Sequence, residues 1–178
     1  CFCNRAMVPG SGVDTILGAA AILKSRGSAL SFCLAGGGDR RPLLQKMARD
    51  LGLGKTVAFS GPIDPRQMPA ALGRASVYIS MAASDGASLS LMEAMACGLF
   101  PVVADIPANR EWVTEGVNGF LVPPGRPEAL AARLQEAWEE RELRREAADV
   151  NWRLVQARCD YFQNMQKIEA ALVKLAAA

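Results

Sequence analysis

The apolar residues of this chain come in a rhythm that leaves few folds open. Short runs at 1–8, 30–35, 56–60, 77–81, 101–104 and 119–122 are almost continuously apolar, which is the pattern of strands buried on both faces. Between them the spacing changes to that of a helix. Val13, Ile16, Leu17, Ala20 and Leu23 recur every three or four residues, and so do Leu43, Leu44, Met47 and Leu51. Further helices are predicted at 67–74 and 89–97, the latter stopped by Gly98, and at 127–140, with Pro127 in its first turn. Residues 142–175 read as a helical tail. Strand and helix alternate with short links, so the expectation is an α/β fold: one doubly wound parallel sheet spanning 1–178, with that tail attached. In such folds ligands sit outside the carboxyl ends of the strands. Within the tail, Val155, Cys159, Phe162, Met165, Ile168 and Leu172 form an apolar stripe, expected to pack on the core with part of it facing an absent domain.

Charge and reactive residues exclude several function classes. Twenty basic residues against eighteen acidic ones give a net charge of +2, too balanced for a strong nucleic-acid footprint. The chain holds no histidine, so a Ser–His or Cys–His mechanism cannot be built within it. Five cysteines, at 1, 3, 33, 97 and 159, form no CxxC pair, which argues against a disulfide framework or zinc site and for reduced thiols in a cytoplasmic setting. Cys33 and Cys97 are expected as small core residues. No apolar run reaches the ~18–20 residues of a membrane span. The start, Cys1-Phe2-Cys3-Asn4-Arg5, reads as a strand entered without preamble, and an upstream part of the protein is expected.

The segment with the most chemistry is 84–98, Ser84-Asp85-Gly86-Ala87-Ser88-Leu89-Ser90-Leu91-Met92-Glu93 and its continuation to Gly98. It follows the fourth strand and opens a helix. Free N–H groups and the dipole at a helix start suit an anion, and small residues at 86–88 let a phosphate approach the backbone. Asp85 in the loop and Glu93 on the helix offer two carboxylates that accept hydrogen bonds from hydroxyl groups. A plainer reading stands beside this one: Ser90-x-x-Glu93 has the form of a capping box, and Asp85-Gly86 that of a turn. Other candidates carry less. Gly36-Gly37-Gly38 lacks the third glycine of a dinucleotide fingerprint, because Arg41 stands in its place, and reads as a turn between strand and helix. Arg40 and Arg41 read as a solvated first turn, Trp112 and Trp152 as packing residues, and the mixed charges of 139–146 as a solvated helix face.

The spacing of Asp85 and Glu93 resembles the E-x7-E signature of retaining glycosyltransferases of the GT-B fold, specifically the group 1 family (family 4). Residues 91–104, the stretch from Glu115 to Gly125, Leu34-Ala35-Gly36-Gly37-Gly38 and Phe59-Ser60-Gly61-Pro62 resemble that family in the same order, from residue 1 to about 165. The resemblance implies a Rossmann-like domain forming one half of a GT-B fold and binding a nucleoside-diphosphate sugar as donor substrate, with no cofactor and no metal. It implies that Glu93 binds ribose hydroxyls, that Asp85 contacts the transferred sugar, and that Arg5 neutralises the departing diphosphate. Gly86, Ala87, Ser88 and Leu89 would lie against the distal phosphate, and Gly61, Pro62 and Ile63 by the base. The acceptor domain would be an N-terminal half absent from this chain, which would carry any peripheral association with a membrane; alone, the chain is expected to be inactive. Four positions depart from the family pattern: Ser11 stands where a lysine is usual before Gly12-Val13-Asp14, Asp85 is one methylene shorter than glutamate, and Ala87-Ser88 stands where the family often has Phe-Gly. They leave open a second reading, a non-catalytic nucleotide-binding or interaction module derived from that fold. A third reading, a phosphoacceptor signalling domain, is disfavoured because the chain lacks an acidic cluster after the first strand.

Overall fold

The computed structural model describes residues 1–86 and 88–176. Six strands, β1 (Phe2–Cys3), β2 (Phe32–Ala35), β3 (Val57–Gly61), β4 (Val77–Ser80), β5 (Phe100–Ala104) and β6 (Phe120–Val122), form one parallel sheet in the order β3-β2-β1-β4-β5-β6. The chain winds outward from β1 to β3, then returns to the other side of β1 with β4. The order therefore reverses between β1 and β4, where an open α/β sheet leaves a crevice at the carboxyl ends of its strands.

Helices cover both faces, as the continuous apolar character of the inner strands requires; every residue of β4 and of β5 is buried. On one face α1 (Val13–Ser25), α2 (Arg41–Asp50) and α6 (Pro127–Glu139) pack through Ile16, Leu17, Leu44, Leu130 and Leu134. On the other, α3 (Met68–Leu72, entered from a 3-10 turn at Pro65–Gln67), α4 (Leu89–Ala96) and α7 (Arg141–Arg158) pack through Leu72, Leu91, Met95 and Leu154 around Phe2 and Tyr78. The doubly wound sheet expected from the apolar rhythm is the observed one.

Four features depart from the expectation. The first strand is two residues long rather than 1–8, because the chain leaves the ladder after Cys3 and residues 4–12 run over the carboxyl ends of the strands. A four-residue helix, α5 (Pro107–Arg110), was not foreseen; it is too short to show a period, and it is held by Asn109, whose Nδ2 donates to Ala104 O at 2.7 Å. The tail is two helices, α7 and α8 (Tyr161–Ala176), separated at Cys159 and Asp160. Asp160 Oδ1 accepts from Gln163 N at 2.8 Å, the bond of a helix cap, which starts a new helix where the apolar spacing alone would have continued the old one. The predicted stripe divides at this break: Val155 and Cys159 pack on the core, whereas Phe162, Ile168 and Leu172 are exposed. Trp152 is likewise exposed, whereas Trp112 is buried beneath Arg158, whose guanidinium lies 4.2 Å from its ring. No helix among the described residues is long and apolar enough to cross a membrane.

The segment 115–119 explains itself structurally. Asn118 and Asn151 are fully enclosed. Asn118 Nδ2 donates to Trp112 O (2.9 Å) and to Asn151 Oδ1 (2.8 Å), its Oδ1 accepts from Thr114 N (2.7 Å), and Asn151 Nδ2 donates to Asn118 O (3.0 Å). This closed set ties α7 to the loop before β6. Glu115 adds the next tie, accepting from Leu121 N at 2.6 Å and pairing with Arg133. Asn151→Ala removes two buried bonds and leaves Asn118 O without its donor, so it should lower stability by about 2–3 kcal/mol. Urea unfolding checks this as a fall in midpoint with an unchanged slope.

Candidate functional site

Three loops meet at the β1/β4 reversal. The first, residues 4–12, approaches neighbouring backbone closely enough at two points to exclude a side chain. A Cβ on Gly12 (φ 71°) would collide with Met81 O at the end of β4, and one on Gly38 (φ 145°) with Met7 O. Glycine is therefore demanded at both places by backbone packing as well as by φ. The Gly36–Gly38 turn joins the loops after β1 and β3: Gly36 N donates to Gly61 O, and Met7 N to Gly37 O, both at 2.8 Å. The sequence reading of these glycines as a turn between strand and helix holds, and the turn also supports the site.

Arg5, Ser11, Ser84 and Ser90 line a cavity of about 310 Å³ at this junction, with Asn4 at its side. Ser11 is nearly enclosed there, so the residue that replaces the family's lysine faces the same space as Arg5. Arg5 Nη1 and Asp85 Oδ2 form an ion pair at 2.7 Å, with side chains only 22% and 17% exposed. Asp85 Oδ1 also accepts from Gly86 N at 3.0 Å, so that amide is engaged locally. A Cβ on Gly86 would meet only open space. A larger cavity, about 460 Å³, lies over β2 and β3 and reaches Ser31, Lys55 and Thr56 at the opposite, amino ends of those strands. It also reaches Ser60 and Ile63 at the carboxyl end of β3, but it does not extend to Arg5 or the start of α4, where the topology favours a ligand.

The capping-box reading of Ser90 and Glu93 is overturned. The N-cap of α4 is Ser88, which places Ser90 inside the helix and Glu93 beyond the position a capping box needs. Glu93 is exposed and has no ion-pair partner among the described residues. Ser88 itself is buried, yet its hydroxyl makes no cap bond and has no hydrogen-bond partner among the described residues. The amides of Leu89 and Ser90 have no backbone acceptor among the described residues, as at any helix start. Leu89 is 70% exposed, so an approaching group reaches this backbone directly. Ala87 lies outside the described residues. Gly61, Pro62 and Ile63 turn away from the carboxyl end of β3, with Gly61 at φ 80° and Ile63 half-buried. Gly36 touches both Gly61 and the Arg5 carbonyl and so links this turn to the cavity.

Two residues of this region escaped the sequence reading. Asn4 Oδ1 is buried without a partner, and Asn4 Nδ2 has only Met68 Sδ at 3.7 Å. Its signal was present: a lone amide ending an apolar run just before Arg5. The Tyr78 hydroxyl is buried beneath the first turn of α4 with Ser80 and Ser90 beside it, and burial pushes it far above its ordinary range. Nothing in the sequence distinguishes Tyr78 from an ordinary strand aromatic. Arg41 corrects the expectation of a solvated first turn: its Nη2 donates to Phe59 O at 3.3 Å, and its guanidinium leans on Gly61. Cys97 corrects another. It is exposed on the last turn of α4, whereas Cys3 is enclosed and burial pushes its thiol up to about 11. Burial and Glu93 raise Cys97 as well, Glu93 being the smaller cause.

Residues 3–150 match the family described as glycosyl transferases group 1, and the chain belongs to that family. It is 33% identical over 128 residues to a GDP-mannose-dependent alpha-(1-6)-phosphatidylinositol monomannoside mannosyltransferase of Mycolicibacterium smegmatis, covering 67% of this chain and 33% of that protein. It is 26% identical over 138 residues to alpha-D-kanosaminyltransferase of Streptomyces kanamyceticus, covering 78% and 36%. Among solved structures, HepE of Anabaena in complex with UDP superposes with a TM-score of 0.88 at 23% identity, over 97% of this chain and 48% of that one. The C-terminal domain of the group 1 protein LpcC from Francisella tularensis superposes with a TM-score of 0.79 at 21% identity, over 90% and 86%. The fold is thus the Rossmann-like one of GT-B glycosyltransferases. The chain spans about a third of the length of the curated relatives it matches.

Exposure at the end of α4 is checked by alkylation of the native protein. A small maleimide at pH 7.5 should modify Cys97 readily and leave Cys3 unmodified until the protein is unfolded, as read by peptide mass spectrometry.

Proposed function

We propose that this chain is the donor-binding part of a retaining glycosyltransferase. It would take a nucleoside-diphosphate sugar, whose sugar passes to an acceptor held by an N-terminal half of the same protein. The observation that carries this reading is the placement of Arg5 and the start of α4 together at the β1/β4 reversal, with the Gly61–Ile63 turn joined to that loop through Gly36. Each answers one part of a sugar nucleotide. The open amides of α4 and the Arg5 guanidinium address the diphosphate. Glu93, exposed and free of a capping role, accepts from ribose hydroxyls. Asp85 accepts from the sugar, and the turn at Gly61, Pro62 and Ile63 borders the base. UDP in the complex of HepE, and the GDP-mannose dependence named for the mycobacterial relative, support a nucleotide-sugar ligand.

In the reaction the bond between the anomeric carbon and the phosphate oxygen breaks, and its electron pair leaves on the diphosphate. The acceptor oxygen bonds the same face of the carbon, and its proton passes to the departing phosphate oxygen. The greatest electrostatic demand is charge on the leaving diphosphate. Arg5 and the helix start meet it with fixed dipoles and one cation, so the reading needs no metal. The exposed apolar residues of α8, among them Phe162, Ile168 and Leu172, are the surface we expect the N-terminal half to cover. A cytoplasmic setting, and any peripheral membrane association through that half, belong to the same proposal. A second reading, a non-catalytic nucleotide-binding module, draws on Ser11, which brings no charge to the cavity, and on the engagement of Arg5 by Asp85.

Calorimetric titration with UDP, GDP and ADP and their monophosphates tests the donor site. At least one diphosphate should bind, and more tightly than its monophosphate. Glu93→Gln should weaken that diphosphate by about 1.5–3 kcal/mol, the scale of a hydrogen bond to a charged group, while leaving thermal stability unchanged. No binding of any diphosphate, or a Glu93→Gln protein that is destabilised yet binds normally, contradicts the reading.

A further inference from the structure

We propose that Asp85 sets the preference of this site for a sugar-bearing nucleotide over the bare nucleoside diphosphate, through the negative charge it holds beside Arg5. The inference rests on the donor-site reading and deepens it. The carboxylate is placed by two contacts: Oδ2 on Arg5 Nη1 at 2.7 Å and Oδ1 on Gly86 N at 3.0 Å. It therefore occupies the guanidinium that an incoming phosphate would use, and one amide on the approach to α4, while the open amides of Leu89 and Ser90 stay available. Arg5 is the only ionisable side chain lining the cavity, and Asp85 its ion-pair partner among the described residues. The next acid, Glu93, stands further along α4 on an exposed face. Both members of the pair are largely shielded from water, so their charges are screened less than those of a surface pair.

Two ligands meet this charge differently. A bare nucleoside diphosphate ends in a phosphate whose second ionisation falls near pH ~6, as in a phosphate monoester, and near neutral pH it carries close to one more negative charge than the sugar ester. That charge competes with Asp85 for Arg5 and is repelled by the carboxylate. The sugar ester lacks it, and brings hydroxyls that donate to the same carboxylate. Asp85 thus disfavours the leaving group once the sugar has gone, which favours release of the nucleotide product, and offsets its own cost when the sugar is present.

The test is calorimetry on the 178-residue chain and its Asp85→Asn variant, using whichever of UDP, GDP and ADP binds best, together with its glucose or mannose conjugate. Asp85→Asn should tighten the bare diphosphate on the order of tenfold, the scale of one charge interaction in a partly shielded site. It should leave the sugar conjugate unchanged or weaker, so the ratio between the two ligands falls. The gain should shrink at pH 5.5, where the terminal phosphate takes up a proton and loses the extra charge; a merely structural role would show no such dependence. Asp85→Ser, which also removes the charge, should repeat the result if the asparagine variant folds poorly. Unchanged affinity for the bare diphosphate, equal weakening of both ligands, or a gain that persists at pH 5.5 overturns the proposal while leaving the donor site standing. No binding of any nucleotide to the unsubstituted chain overturns both.

Discussion

The architecture depends on one constraint, the packing of bare backbone against backbone where the sheet reverses. The loop after β1 meets the chain beyond β2 and β4 backbone to backbone at Gly38 and Gly12, where a single methyl group would collide with Met7 O and Met81 O. This contact holds the start of α1 beside the end of β4. It brings Arg5, which leaves the sheet after two strand residues, to Asp85, eighty positions later. The Gly36 turn extends the same plane of contact to Gly61. The site is therefore a property of how three loops stack, and its charged members are carried there by neutral, tightly packed chain.

That arrangement puts rigidity and reactivity in different places. The apolar strands and the enclosed Asn118–Asn151 network secure the β5–β6 side and the end of α7 without contributing to the cavity. Among the described residues, buried polar atoms without a hydrogen-bond partner include Asn4 Oδ1 after β1, the Ser88 hydroxyl at the start of α4 and Arg41 Nε beside β3. Buried groups of this kind are costly unless something satisfies them.

The fold was legible because strands buried on both faces have an unmistakable apolar pattern, and all six were found. What the pattern cannot carry is any event decided by one residue. Asp160 restarts a helix by capping it, and the apolar spacing of the tail runs straight through that position. Cys97 and Phe162 are exposed although both lie on apolar stripes, since a stripe does not say how much of it a neighbour covers. Of the residues singled out in the sequence, the structure brings Arg5, Asp85 and the start of α4 together. The internal chemistry of that site was not legible: Arg5 and Asp85 were assigned separate partners, and their mutual pairing depends on a contact that no local spacing encodes. Nor could sequence spacing separate a capping role from a binding role for Glu93. That distinction turned on whether Ser88 or Ser90 opens α4, a difference of two residues.

The central claim is that the reversal between β1 and β4 is where this domain receives a nucleotide. It is tested most directly by amide chemical shifts of the ¹⁵N-labelled chain during titration with a nucleoside diphosphate. The account predicts saturable shifts confined to the loop from Arg5 to Gly12, the turn at Gly61–Ile63 and the first turn of α4 from Ser88. Shifts centred instead on the groove near Ser31, Lys55 and Thr56 at the opposite end of the sheet, or no saturable shifts at all, would contradict it.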